Sequence, residues 1–152
     1  MTAYPEQGSA SIEVNAAPEI VWRLIADITR MGEWSPECVK AEWDTDATGP
    51  TVDAHFTGHN KIGDFEWSVP CIVTQCEPGS RFEFAAPRGN DVLTHWRFDV
   101  APTTSGGTLL TESFTAPMIN VEGSAANFEG RYEMLIDAIG ITIANVKAAA
   151  EQ

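Results

Sequence analysis

The last stretch of the chain, residues 128–150, reads FEGRYEMLIDAIGITIANVKAAA. Its apolar residues recur every three or four positions, which is the spacing of one face of an α-helix. We predict one long helix over residues 121–150, about 45 Å in length at 1.5 Å per residue. The apolar stripe consists of Phe128, Tyr132, Leu135, Ile139, Ile143, Val146 and Ala150.

Three glycines fall inside this predicted helix, Gly123 and Gly130 near its start and Gly140 midway. Each lowers helix propensity by about 1 kcal/mol relative to Ala. For Gly140 we expect close packing against the sheet. For Gly123 and Gly130, two alternatives stay open: close packing against the sheet, or a kink or loose first turn that admits a ligand.

The segment before the helix has a period of two, which is typical of strands. It predicts six consecutive strands with short connections, an antiparallel meander. A first strand over residues 11–14 and two short helices, over residues 18–27 and 31–36, precede it. The apolar face comprises Val39, Ala41 and Trp43; Val52, Ala54 and Phe56; Trp67, Val69, Cys71 and Val73; Phe82 and Phe84; Trp96, Phe98 and Val100; and alternate positions of residues 108–114.

A long amphipathic helix has one apolar surface to cover, and the sheet supplies the matching face. The fold class is therefore α+β: a curved antiparallel sheet of about seven strands wrapped around the C-terminal helix, with two short helices after strand one. A length of 152 residues predicts a single domain over 1–152.

The formal net charge is −13. It argues against nucleic acid and anionic membranes as partners, since both are polyanions. We expect no membrane span, because no apolar stretch approaches the roughly 18 residues required. The N-terminus lacks the basic and apolar regions of a signal peptide, and an odd number of cysteines predicts reduced thiols, so we expect a cytoplasmic location.

Metal and cofactor sites find little support in the sequence. His55 and His59 share a strand face but have no third ligand nearby, so we interpret them as solvated histidines. A Gly-rich phosphate loop and a nucleophile–base set at recognised spacing are both missing from the sequence. We therefore expect neither a metal nor a cofactor.

Five segments resemble the START-like, birch-pollen-allergen-like superfamily (SRPBCC), and within it the polyketide cyclase/dehydrase branch, which has many actinobacterial members. The resemblance extends from about residue 9 to residue 151. It implies a helix-grip fold with a hydrophobic cavity between sheet and helix, and it says less about any one reaction. The segments are APEIVW (17–22), DITRMGEWSPE (27–37), WSVPCIV (67–73), GTLLTES (107–113) and NVKAAAE (145–151).

Aromatic side chains are candidates for the walls of that cavity, because flat walls suit planar ligands. An ordinary aromatic core is the alternative. Trp34 is also a candidate lid residue, unless it only covers the pair of short helices. The candidate ligand-binding residues are Trp34, Trp43, Phe56, Trp67, Phe84, Trp96, Phe98, Phe114, Phe128 and Tyr132.

Three residues are candidates for chemistry. Glu112 shares a strand face with Leu110 and Phe114, so it points inward if they do, and burial would then raise its pKa and suit it to acid–base work. A solvent-facing position or an arginine partner is the alternative. Arg131 and Tyr132 lie near the expected cavity mouth, where they could hold or protonate an enolate oxygen, although an exposed position is the simpler interpretation of Arg131.

Two main functions follow. The first is binding of a small hydrophobic molecule, aromatic or lipid-like, without altering it. The second is a polyketide cyclase/dehydrase that uses Glu112 or Tyr132 for proton transfer. A protein-interaction module is a third possibility, but the outward positions are polar. The sequence leaves monomer and homodimer open.

Overall fold

A computed structural model describes residues 3–47, 49–88 and 92–152. Seven strands form one antiparallel sheet in the order β1–β7–β6–β5–β4–β3–β2. The predicted α+β helix-grip architecture is confirmed. The strands are β1 (Gln7–Val14), β2 (Cys38–Trp43), β3 (His55–Ile62), β4 (Phe65–Glu77), β5 (Arg81–Arg88), β6 (Val92–Pro102) and β7 (Thr108–Thr115), and the helices are α1 (Pro18–Ala26) and α2 (Arg131–Ala150), with 3₁₀ helices over Ile28–Glu33 and Pro117–Asn120.

The two short helices after β1 form where local signals favour them. Pro18 occupies the first turn of α1, and Glu19 complements the positive helix end. Asp27 ends α1 and is also the N-cap of the first 3₁₀ helix. Its side chain accepts a hydrogen bond from the backbone N–H of Thr29 in that helix. That helix lies three residues earlier than predicted, because the Asp27 cap rather than Pro36 sets its position.

The strand periodicity correctly assigns the inner face of β4 to β7. Val73, Phe84, Trp96 and Phe114 pair in one row across these four strands. Neighbours in a row point to the same face of a sheet, so this row lies on the concave side that faces α2. The concave face is therefore rich in aromatic side chains.

The predicted inward orientation is wrong for two residues at the β2–β3 edge. Val39 is 53% exposed and Val52 is 52% exposed. The register of β2 shifts between Cys38 and Lys40, which turns Val39 outward. Strand β3 begins only at His55, so Val52 lies in the preceding turn.

The C-terminal helix is shorter than predicted. It begins at Arg131 rather than near Val121 and has 20 residues, or about 30 Å. Gly123 and Gly130 have φ of +84° and +94°, a left-handed conformation incompatible with a helix. The close packing expected at Gly140 is also wrong, because a Cβ there would meet nothing within 4 Å.

The buried part of the predicted stripe on α2 is Leu135, Ile139, Ile143 and Val146. It packs over the concave face of the sheet. Phe128, predicted on the same stripe, lies before the helix and is 43% exposed. The segment between the second 3₁₀ helix and α2 therefore forms a separate connection, residues 121–130, built of turns.

The described part of the chain shows several further features. It contains no helix long and apolar enough to span a bilayer. Within the same residues, no three His, Cys, Asp or Glu side chains come together as metal ligands. Cys38, Cys71 and Cys76 form no disulfide.

Candidate functional site

A cavity of about 370 Å³ lies between the concave face of the sheet and α2. This volume falls within the range of small-molecule sites. Its walls are mostly apolar. Strands β3 to β6 supply aromatic and small residues, α2 supplies Met134, Leu135, Ala138, Ile139 and Thr142, and the first 3₁₀ helix supplies Met31.

Six of the ten predicted ligand-binding residues line this cavity. Phe56 and Phe84 meet edge-on with ring centroids 5.1 Å apart and form part of one wall. Trp67 stacks at a tilt against Phe65, which is exposed at the tip of the β3–β4 hairpin. The six are Phe56, Trp67, Phe84, Trp96, Phe98 and Phe128.

Trp34 and Trp43 are not among the cavity-lining residues. Trp34 is buried in the main core with Arg30 stacked on its ring, a position that favours covering the short helices over acting as a lid. Trp43 packs edge-on against Phe56, with ring centroids 5.7 Å apart.

Phe114 and Tyr132 also lie outside the lining. They contact each other in a second hydrophobic cluster, with ring centroids 5.9 Å apart. The Tyr132 hydroxyl donates to the Gln7 carbonyl oxygen at 3.1 Å. This bond directs the phenol toward β1, so its predicted role in proton transfer has no support in the geometry.

Glu112 lines the cavity with its side chain buried. Its cross-strand neighbours are Phe98 on β6 and Ala10 on β1, and Leu110 and Phe114 flank it on β7. Its Oε1 atom has no hydrogen-bond partner among the described residues. Desolvation by these apolar neighbours raises the pKa of the carboxyl well above its ordinary value of 4.5.

Arg131 is not the exposed residue that the simpler interpretation expected. Its guanidinium donates two hydrogen bonds to the carboxylate of Glu37, at 2.7 and 3.0 Å. Both side chains line the cavity and are only 12% and 16% exposed. The pair joins the first turn of α2 to the segment that enters β2, at the edge of the cavity.

Sequence reasoning missed several lining residues. Asn60 lies on β3 two positions after Gly58 and four after Phe56, so strand parity could have identified it. Met134, Ala138 and Thr142 are spaced by four along α2, beside the apolar stripe. Glu37 carried no comparable signal, because its partner Arg131 is 94 positions away in the chain.

His55 and His59, which we interpreted as solvated histidines, lie on the outer face of the sheet, opposite the cavity. His59 contacts Ser68 through Nδ1 and Glu42 through Nε2, both at 2.7 Å. A second outer cluster holds Glu83, which accepts hydrogen bonds from Thr74 and Arg97. Burial by itself would raise the pKa of Glu83, but these hydrogen bonds outweigh it, so the pKa is lowered. These polar networks cover the convex side and take no part in the cavity.

Comparison with known proteins places this geometry in a family. A polyketide-cyclase-like protein from Corynebacterium glutamicum, solved by NMR, is 32% identical, with a TM-score of 0.61, over 99% of this chain and 92% of that chain. The di-domain ARO/CYC StfQ from the steffimycin biosynthetic pathway has a TM-score of 0.73 at 15% identity; the match covers 96% of this chain, which spans 50% of that one. A major latex-like protein from Panax ginseng has a TM-score of 0.71 at 10% identity, over 96% of this chain and 97% of that chain.

The two distant structures show the fold alone. No protein of the curated set matches the sequence at a significant level. The family model described as polyketide cyclase / dehydrase and lipid transport matches residues 6–151. With nearly the whole sequence matched, the chain belongs to this polyketide cyclase-like family of the SRPBCC superfamily.

Proposed function

We propose that the protein binds a small hydrophobic molecule, aromatic or lipid-like, in the cavity between the sheet and α2. The observation that carries this proposal is the cavity itself, about 370 Å³ in volume and walled by Phe56, Phe84, Trp96 and Phe98. A chain of this size could have closed the space with side chains. An open apolar chamber forfeits packing energy, and a ligand would restore it.

The comparisons support a role in hydrophobic ligand binding or cyclisation at the level of the family. The di-domain relative of similar fold belongs to the steffimycin biosynthetic pathway. Offset stacking on aromatic walls adds about 0.5–1.5 kcal/mol beyond area burial, which favours ligands with fused rings. We therefore propose aromatic or polyketide-like compounds ahead of saturated lipids.

Native mass spectrometry of the purified protein tests the binding function directly. We expect adducts with the folded protein that disappear on denaturation. Thermal unfolding with a panel of polycyclic phenols and fatty acids provides the second measurement, since a ligand that binds only the folded state raises Tm. No adduct and no shift with any panel member would contradict the proposal.

A second candidate function is catalysis of the cyclase/dehydrase kind, favoured by the buried carboxyl of Glu112. A carboxyl with a raised pKa can supply or accept a proton at neutral pH, and the cavity would fold and orient the substrate. Arg131 is committed to Glu37 and Tyr132 to the Gln7 carbonyl. Glu112 is therefore the group we propose for proton transfer.

Exchange of Glu112 for glutamine separates the two functions. Glu112→Gln keeps the shape and a hydrogen-bonding group but cannot transfer a proton. If the protein is an enzyme, we expect turnover of a poly-β-ketone or hydroxylated ring substrate to fall by about 10²–10⁴-fold with ligand affinity nearly unchanged. Equal turnover by the two proteins would remove Glu112 from the mechanism.

Location and assembly stay predictions. We propose that the protein acts in the cytoplasm without a nucleic-acid partner, as a monomer or homodimer. Light scattering of the purified protein, with and without bound ligand, measures its assembly state. A mass above that of a dimer would contradict this prediction.

A further inference from the structure

Among the described residues that line the cavity, Glu112 has a fully buried side-chain atom that the protein itself leaves without a hydrogen-bond partner. Oε1 of Glu112 is buried and has no hydrogen-bond partner among the described residues. A buried polar atom without a partner destabilises the protein, because its hydrogen bonds to water are lost without replacement. Because the side chain also lines the cavity, a bound molecule can supply the missing partner.

The surroundings of Glu112 determine which form of the carboxyl meets a ligand. Ala10, Phe98, Leu110 and Phe114 surround it on the sheet, and none carries a charge. Arg131 and Glu37 also line the cavity, but they satisfy each other. No cation in the described chain forms an ion pair with Glu112, so desolvation keeps its pKa raised and favours the neutral acid.

A neutral carboxyl group is a hydrogen-bond donor as well as an acceptor. Phe98 on β6 pairs directly with Glu112 on β7, and Trp96 lies two positions before Phe98 on the same strand. Both aromatic side chains line the cavity. A ring that stacks on this wall places its edge substituents beside the carboxyl.

We infer that the cavity selects an uncharged ring compound with a ketone or hydroxyl oxygen, which accepts a hydrogen bond from the Glu112 carboxyl. This inference rests on the proposed binding function and narrows its ligand class. A plain hydrocarbon leaves Oε1 unsatisfied. A carboxylate or an ammonium group carries a charge into the apolar chamber, where desolvation costs more than one hydrogen bond returns.

One tricyclic scaffold allows each alternative to be measured at constant shape. The probes are fluorene, 9-fluorenone, 9-fluorenol, 9-aminofluorene and fluorene-9-carboxylate, and the measurement is the Kd of each at pH 7. We expect 9-fluorenone and 9-fluorenol to bind about 2- to 10-fold more tightly than fluorene, the range that one net hydrogen bond provides. We expect the amine and the carboxylate to bind more weakly than fluorene.

Two variants assign the preference to Glu112. Glu112→Gln retains an N–H donor, and we expect it to keep the preference for the ketone. Glu112→Leu has a similar volume without a polar group, and we expect it to bind fluorene and 9-fluorenone equally. Thermal unfolding of both variants verifies that they fold.

Each outcome decides the inference. Equal Kd values for fluorene and 9-fluorenone with the original protein would overturn it while leaving the binding function intact. Tightest binding of 9-aminofluorene would overturn it in favour of an ionised carboxylate as counter-ion. If Glu112→Leu still prefers 9-fluorenone over fluorene, a group other than Glu112 causes the preference and the inference is overturned. If no probe binds, both the proposed function and the inference are contradicted.

Discussion

Glu112 is a carboxyl group held among hydrocarbon side chains, and its protonation is therefore linked to folding. In the unfolded chain it titrates near its ordinary pKa of 4.5, whereas burial raises its pKa in the folded protein. Between these two values the folded state holds a proton that the unfolded state has lost. Stability therefore decreases as pH rises through this interval.

This linkage gives a measurable slope. We expect the contribution of Glu112 to the free energy of unfolding to fall by up to about 1.4 kcal/mol per pH unit above pH 4.5, and to level off above the folded pKa. Urea unfolding from pH 4.5 to pH 9 provides the measurement. The difference between the original protein and Glu112→Gln isolates this residue, and a difference that does not change with pH would contradict its buried, neutral state.

At the scale of elements, an ion pair at the cavity joins the start of α2 to the residue just before β2. Arg131 belongs to the first turn of α2, and Glu37 lies just before β2. The bidentate geometry and the low exposure of both side chains distinguish this pair from ordinary surface pairs, which contribute little. The pair therefore holds the helix start against the sheet edge.

A double-mutant cycle measures how strongly this pair couples the two elements. We expect Arg131→Met and Glu37→Gln to destabilise the protein singly, and the double variant to lose less than the sum of the two. The coupling should be about 1–3 kcal/mol by urea unfolding, as for groups in one network. Additive losses would show that the pair contributes no more than an exposed one.

Two glycines, one inside α2 and one just before it, predict opposite effects of the same substitution. Gly140 lies inside α2 with open space around its Cβ position, so Gly140→Ala should stabilise the protein by up to about 1 kcal/mol. Gly130 precedes the helix with φ of +94°, so Gly130→Ala should destabilise by about 1–2 kcal/mol. Thermal unfolding compares the two, and effects of the same sign would contradict this account.

The elements differ in how well the sequence predicts them. The alternation along β4 to β7 predicts their faces because one side packs on α2 and the other carries polar networks. The β2–β3 edge departs from the prediction because a register shift and a late strand start break the alternation at Val39 and Val52. Phe128 has helical spacing to Tyr132, but Gly130 between them has a left-handed φ, so the helix starts later.

In the candidate site, too, the sequence predicts some features and not others. Strand parity correctly predicts that Glu112 points inward, since Leu110 and Phe114 on the same face are buried. Parity cannot exclude Trp43 from the predicted cavity lining, because an inward residue near the sheet edge can pack behind Phe56 and stay out of the cavity. The Arg131–Glu37 contact was beyond prediction, since it depends on how the helix start meets the sheet edge.

At the scale of the whole molecule, the sheet encloses space that it does not fill. Gly58 contributes to this space, because a Cβ there would meet only the Sγ of Cys38, at an ordinary 3.9 Å. Larger side chains at this position would extend into the chamber. Stability and ligand capacity are therefore expected to oppose each other in this fold.

A pair of phenylalanine variants tests this relation. We expect Gly58→Phe to occupy part of the chamber and weaken binding of tricyclic ligands by at least about 10-fold, the effect of about 1.4 kcal/mol of lost contact. Lys61→Phe, exposed on the same strand, is the control and should leave the Kd unchanged. Binding is measured by titration and folding by thermal unfolding. Equal effects of the two variants would show that ligands bind outside the cavity.

The placement of the five tryptophans has an optical consequence. Trp67 and Trp96 line the chamber, whereas Trp34 is buried in the main core and Trp22 donates its indole N–H to the Arg81 carbonyl. A ligand that absorbs in the near ultraviolet would quench the emission of the two indoles that it touches. The protein thus carries its own fluorescent reporter, which registers occupancy of the chamber without any attached dye.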